Sequence, residues 1–155
     1  MDAVVRLEAV EEIKQLKARY FRCMDTKDWE GWRRVFTEDA ALEFDLAVST
    51  LGRPGEPAPK LVGREAILAY VSRAFASNQT VHHGHMPEIE LLSETRARGV
   101  WAMEDIVDDG DRVVHGYGHY HETYEKAGGD WRIASVHLTR TRLSQVFRDR
   151  MAPLL

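Results

Sequence analysis

Around Glu88 the spacing of apolar residues changes from three-and-four to two, and that change decides what this chain can fold into. Before it, Leu7, Val10, Ile13, Leu16 and Tyr20 recur at helical intervals and place one apolar stripe on a helix from about Val4 to Met24. The stretch "DTKDWEGWRRVF" predicts a second helix capped by Thr26 or Asp28, with Trp29, Trp32 and Phe36 at helical spacing. "ALEFDLAV" alternates as a strand does. "REAILAYVSRAF" then returns to the helical period through Ile67, Leu68, Val71 and Phe75. From Glu88 onward four strands are predicted, at about 88–93, 97–107, 112–124 and 131–142, with tight turns at Asp109-Gly110 and Gly128-Gly129. Helices first and antiparallel strands after make an α+β chain, a curved sheet wrapping one side of packed helices.

The 155 residues are one domain's worth, so a single domain over 1–155 is expected. A net charge of −4 with mixed signs argues against nucleic acid as a partner, which needs a basic face. No apolar run approaches the ~20 residues of a membrane span. The start, "MDAVVRLEAVEEIK", carries acids and lacks the pattern of a signal peptide. The single cysteine, Cys23, excludes an internal disulfide and the four-ligand zinc cluster, and reads as packing. A reduced, cytoplasmic protein is expected. "STLGRPGEPAPKLVG" holds three of the five prolines and reads as a loop, either a lid or a plain connector.

The residues that could carry chemistry fall in several places. Asp25 ends the first helix, and Tyr20 lies five residues earlier beside its buried face. A carboxylate there can hold an imidazole in one tautomer and favour its protonated form. The run "VHHGHMPEIE" offers His82, His83 and His85, of which extended geometry sends His82 one way and His83 and His85 the other. No face carries all three, so a metal site from this run alone is awkward, and periodicity leaves open which histidine faces inward. In "HGYGHYHETY", His115, His119 and His121 share a face with Tyr117, the best case for a metal, the alternative being a solvated or interface face. Asp105 shares strand parity with Trp101 and Met103, and Arg140 with Ala134, Val136 and Leu138. Charges on such stripes either pair with each other or line a pocket. Phosphate loops, nucleophile elbows, HExxH helices and dinucleotide fingerprints are missing from the sequence.

"IKQLKARYFRCMDTKDWEGW", "HHGHMPEIE" and "YEKAGGDWRI" together resemble the SnoaL-like branch of the nuclear transport factor 2-like superfamily, from about Val10 to Leu143. The character is closest to bile-acid 7α-dehydratases, with scytalone dehydratase more distant. The resemblance implies a cone-shaped α+β barrel of three helices on a strongly curved mixed sheet, with a deep apolar pocket. It implies Tyr20, Asp25 and His82 as the catalytic set, His82 because it stands three residues before the histidine of "GHMPEI". Asp105 and Arg140 match polar pocket positions, and a second pocket tyrosine of those enzymes falls at Phe44 here. With Trp101, these are the expected substrate contacts. The implied activity is a dehydratase without cofactor or metal, acting on a small, cyclic, mostly apolar carbonyl compound. An isomerase, a polyketide cyclase and a non-catalytic binding or assembly module are its rivals. Homo-oligomers, trimers or dimers, are implied too, and the apolar end of "FRDRMAPLL" is expected to close a pocket or meet a neighbouring subunit.

Overall fold

In a computed structural model, residues 2–49, 58 and 60–148 are described. Most of the proline-rich segment and of the tail read above therefore lies outside the described residues. The elements are α1 (Ala3–Asp25), α2 (Trp29–Arg33), β1 (Phe36–Phe44), β2 (Leu61–Val62), α3 (Arg64–Ala74), β3 (Gln79–Leu91), β4 (Arg96–Asp108), β5 (Arg112–Ala127) and β6 (Asp130–Phe147).

α1 begins where the Asp2 carboxylate accepts the Ala3 N–H at 2.7 Å, satisfying one orphan donor of the first turn. Ile13, Leu16 and Tyr20 of the expected stripe are buried, with Cys23 continuing it, whereas Leu7 at its start is exposed and Val10 only half-buried. Asp28 caps α2 by accepting from Gly31 N–H at 2.9 Å. The six strands lie in the order β2-β1-β6-β5-β4-β3, a curved, open sheet. β1 runs parallel to β6 and the other neighbours are antiparallel. The inner face packs on the helices around one core that includes Ile13, Trp32, Phe36, Ile67, Ile133 and Val136, each nearly inaccessible to solvent.

Three expectations are corrected. Phe36 is not on the second helix: α2 stops at Arg33, and Phe36 starts β1 opposite Ile133, with Ile133 N–H bound to Val35 O at 2.8 Å. Its aromatic spacing from Trp32 survives as an edge-to-face contact at 4.7 Å, which a helix is not needed to provide. The strand expected at 88–93 starts at Gln79, so the whole histidine run is strand. The two-residue β2, paired to Ala41 and Leu42, left no periodic signal.

The run "HMPE" is a bulge in β3. His85 pairs with Ala102 and Glu88 with Val100, so two residues face the single Trp101. Met86 sits at φ +38°, a conformation uncommon outside glycine. The bulge changes parity: Thr80 and His82 are buried before it, and Ile89 packs on the core after it. β6 is irregular opposite Thr123/Tyr124, where Tyr124 pairs with Ile133 and Thr123 with Ser135. Ala134 is the surplus residue, and the inner stripe leading to Arg140 runs through Val136 and Leu138.

Candidate active site

α1 and β3 meet closely because Gly84 has no side chain. A Cβ there would stand 2.6 Å from the Phe21 ring. This approach brings the end of α1 over His82. Asp25 accepts from the His82 backbone N–H at 2.9 Å through one oxygen, and its other oxygen lies 2.7 Å from Nδ1. With Asp25 ionised, Nδ1 carries the proton and Nε2 is left as the free acceptor. His82 is buried, and it lines a hollow of about 340 Å³ between helices and sheet.

Two further residues extend the pair outward. The Thr80 hydroxyl donates to Asp25 at 2.9 Å, and Lys27 Nζ donates to the same hydroxyl oxygen at 2.7 Å. Lys27 reaches there from φ +60°, in the turn after α1. Burial pushes the Asp25 carboxyl up, but the His82 hydrogen bonds and charge and the Thr80 hydroxyl outweigh it, and the result lies below the ordinary carboxylate range.

A second polar group faces the same hollow. Arg140 on β6 reaches across β5 and donates through Nη1 to Asp105 on β4 at 2.8 Å. The strand between is bare there: a Cβ on Gly116 would meet Arg140 Nη1 at 1.9 Å and Asp105 Oδ1 at 2.1 Å. Arg140 Nε is buried without a hydrogen-bond partner among the described residues. Both sequence alternatives for this pair hold together, since the two residues bridge and also line the hollow.

Tyr20 and Tyr120 stand between the two polar groups, ring centroids 6.1 Å apart. Burial, with the nearby charges of Glu122, Asp105 and Asp25, pushes the Tyr20 hydroxyl far above its ordinary range. Burial, then Tyr20 and Asp105, do the same for Tyr120. Both phenols therefore stay protonated and able to donate. Behind them lies a fully buried ion pair, Lys17 with Glu122, the ammonium 4.0 Å from the Tyr20 ring centre and 3.6 Å from that of Tyr120.

Tyr20, His82, Phe44, Asp105 and Arg140 thus line one hollow, with Asp25 supporting His82 from behind. Trp101 does not line it. Its indole N–H donates to Tyr124 at 2.8 Å, and Tyr124 donates to Glu122 at 2.5 Å, so Trp101 belongs to the buried network around Lys17. Sequence reasoning passed over Tyr120, Thr80 and Lys27. Tyr120 had a signal, because Gly116, Gly118 and Tyr120 share parity on β5 and the glycines mark cleared space on its inner face. Of the possible metal ligands, His119 and His121 do share the outer face, with His121 Nε2 3.1 Å from the Thr139 hydroxyl. No helix of the described residues is long and apolar enough to cross a membrane.

The SnoaL-like domain profile matches residues 5–137. A protein of Gibberella zeae named as a cyclase is 26% identical over 137 residues, covering 86% of this chain and 91% of that protein. Two solved structures share the fold. One, from Novosphingobium aromaticivorans and named for scytalone dehydratase, has a TM-score of 0.80 at 20% identity over 92% of this chain and 91% of that one. The other, the hexachlorocyclohexane dehydrochlorinase LinA-type3 of Novosphingobium barchaimii, has a TM-score of 0.76 at 16% identity over 98% and 99%.

Proposed function

The chain belongs to the SnoaL-like domain family, and from that premise we propose that it is a cofactor-independent lyase removing water from a cyclic, mostly apolar carbonyl compound. The observation that carries this reading is the Asp25–His82 pair, held by two hydrogen bonds, with the imidazole on the wall of a largely apolar hollow. His82 Nε2 takes a proton from the carbon next to the carbonyl, or vinylogous to it. The electron pair moves into the carbonyl as an enolate, then returns to form the carbon–carbon double bond as the hydroxyl departs. The imidazolium gives its proton to that hydroxyl, so water leaves and the histidine is restored. Tyr20 donates to the carbonyl oxygen and steadies the enolate. Asp105 and Arg140 orient the polar edge of the substrate, and Phe44, Leu42 and Leu138 hold its ring.

Histidine with acid support typically contributes ~10²–10⁴-fold, so the apolar surroundings and the phenol donors supply the remainder. The solved relative named for scytalone dehydratase and the dehydrochlorinase both favour elimination. The relative named as a cyclase favours a second reading, in which the same proton abstraction ends in isomerisation or ring closure. Mass spectrometry of products from a panel of hydroxylated cyclic ketones separates them, because only elimination lowers the mass by one water. Replacing His82 with alanine should abolish turnover with an unchanged circular dichroism spectrum. An active His82→Ala protein overturns the assignment, and ligand binding without turnover by the wild type points to a binding module instead. The same reading has the enzyme working in the cytoplasm as a homo-oligomer.

A further inference from the structure

β3 turns His82 toward the hollow, and its exposed neighbours His83 and His85 toward the opposite face of the sheet. There the antiparallel register sets His83 directly opposite Glu104 of β4, and His85 opposite Ala102. His83 Nδ1 is 3.9 Å from a Glu104 carboxylate oxygen. The two imidazole rings are 5.9 Å apart at their centres and tilted by 54°, so they do not stack. One donor atom from each of His83, His85 and Glu104 lies within 4.8 Å of the other two, and among the described residues no other group of three such side chains does so. We propose that His83, His85 and Glu104 form a binding site for a divalent transition-metal ion of the zinc, nickel or copper(II) kind.

The donor set selects the ion. Two neutral imidazoles and one carboxylate suit these borderline metals, whereas magnesium and calcium favour oxygen shells. Metal–nitrogen and metal–oxygen bonds of about 2.0–2.2 Å require the three donors to close to roughly 3.5 Å. All three groups sit at the ends of side chains, two of them exposed, so the closure needs side-chain rotation alone. The strand register supplies the rest, holding i and i+2 histidines on one face and the glutamate across from the first. Ala102 presents only a methyl opposite His85, which leaves the remaining coordination positions open to water. The other neighbouring histidines, His119, His121 and His137, form no such donor group with a carboxylate among the described residues: Asp45 lies 3.2 Å from His137, and His121 is engaged with Thr139. An ion at His83 clamps β3 to β4 directly behind His82, so its occupancy stiffens the strand that carries the imidazole base.

Isothermal titration of tag-free, chelator-treated, full-length protein with zinc and with nickel tests the proposal without reference to turnover. One ion per chain with micromolar affinity is expected. His83→Ala and His85→Ala should each weaken it at least tenfold, and Glu104→Gln several-fold, while His119→Ala leaves it unchanged. In the wild type, saturating zinc should raise the melting temperature, and this rise should vanish in His85→Ala. Absence of saturable binding overturns the proposal. So does binding that survives His83→Ala and His85→Ala, or binding lost in His119→Ala, which moves the ion to β5. Should metal binding fail while His82→Ala abolishes catalysis, the active-site reading stands and only the metal site falls.

Discussion

Gly116→Ala is the smallest substitution that strikes the Asp105–Arg140 pair on the wall of the hollow. The added methyl would lie 1.9 Å from Arg140 Nη1 and 2.1 Å from Asp105 Oδ1, inside the contact distance of both. The methyl falls on the bridge itself, so the guanidinium and the carboxylate must both move to make room for it. The side chains of Asp105 and Arg140 are 5% and 14% exposed, so water does little to compensate their separation. Breaking a buried pair and leaving its charges unmatched costs about 3–5 kcal/mol. At about 2–4 °C per kcal/mol for a chain of this size, the melting temperature should fall by roughly 6–20 °C. Scanning calorimetry on the wild type and Gly116→Ala measures this directly. The decisive control repeats the substitution in an Asp105→Ala/Arg140→Ala background, where the methyl meets neither charge and most of the loss should disappear. A melting temperature within about 2 °C of wild type refutes the reasoning, and so does an equal loss in the control background.

Two other substitutions test the charged groups. Asp25 titrates below its ordinary range in the folded protein, so its contribution to stability is complete above the unfolded value near ~3.9 and is lost as pH falls through the folded value. Wild type should therefore exceed Asp25→Asn in urea resistance at neutral pH, and the gap should close in acid; a gap independent of pH contradicts the linkage. The Asp25→Asn protein should also lose the downfield Nδ1 proton resonance of His82. Lys17→Ala leaves Glu122 buried and uncompensated, at a cost of about 3–5 kcal/mol, whereas joint replacement by Met and Leu should be close to neutral. Chemical denaturation distinguishes the two, and equal losses in both would show that packing, not charge, dominates there.

The elements most legible in the sequence are those with a long period. α1 shows its period through Ile13, Leu16 and Tyr20, although Leu7 at the same spacing is exposed, and β4 to β6 are separated by glycine turns that admit little else. Local spacing fails where the third dimension overrides it. Phe36 keeps its distance from Trp32 whether the chain between is helix or turn, so a period of four could not tell the two apart. β3 looked like a strand only after Glu88 because the bulge at Met86-Pro87 reverses parity, and a pattern read through it cancels itself. The site shows the same division. Tyr20, Asp25 and His82 are adjacent to recognisable motifs, and Asp105 and Arg140 are charges on apolar stripes. Trp101 has the same parity as Asp105 yet lies outside the hollow, because parity names a face and not a position along it. Thr80 and Lys27 are unremarkable in sequence and become visible only when two segments 53 residues apart share a hydrogen bond.

The two polar groups are built to different rules, and the difference bears on what each can do. Asp25 and His82 lie at a helix end and an edge strand, elements joined through Gly84 and a few hydrogen bonds, with Asp25 partly open to water. Proton exchange, as proposed, suits such a pair, since the carboxylate is supported by Thr80 while His82 lines the hollow. Asp105 and Arg140 instead span three consecutive inner strands, fixed by register and shielded from water. On the proposed reading, a group so constrained is suited to holding a ligand's polar edge rather than to shuttling protons, the more so because Arg140 Nε has no hydrogen-bond partner among the described residues. Tyr20 and Tyr120, kept protonated by burial, line the same hollow and on the proposed reading bridge a substrate from one group to the other. For the proposed elimination, orientation by the Asp105–Arg140 pair and proton transfer by His82, with its partly open partner Asp25, is the division of labour that this asymmetry favours.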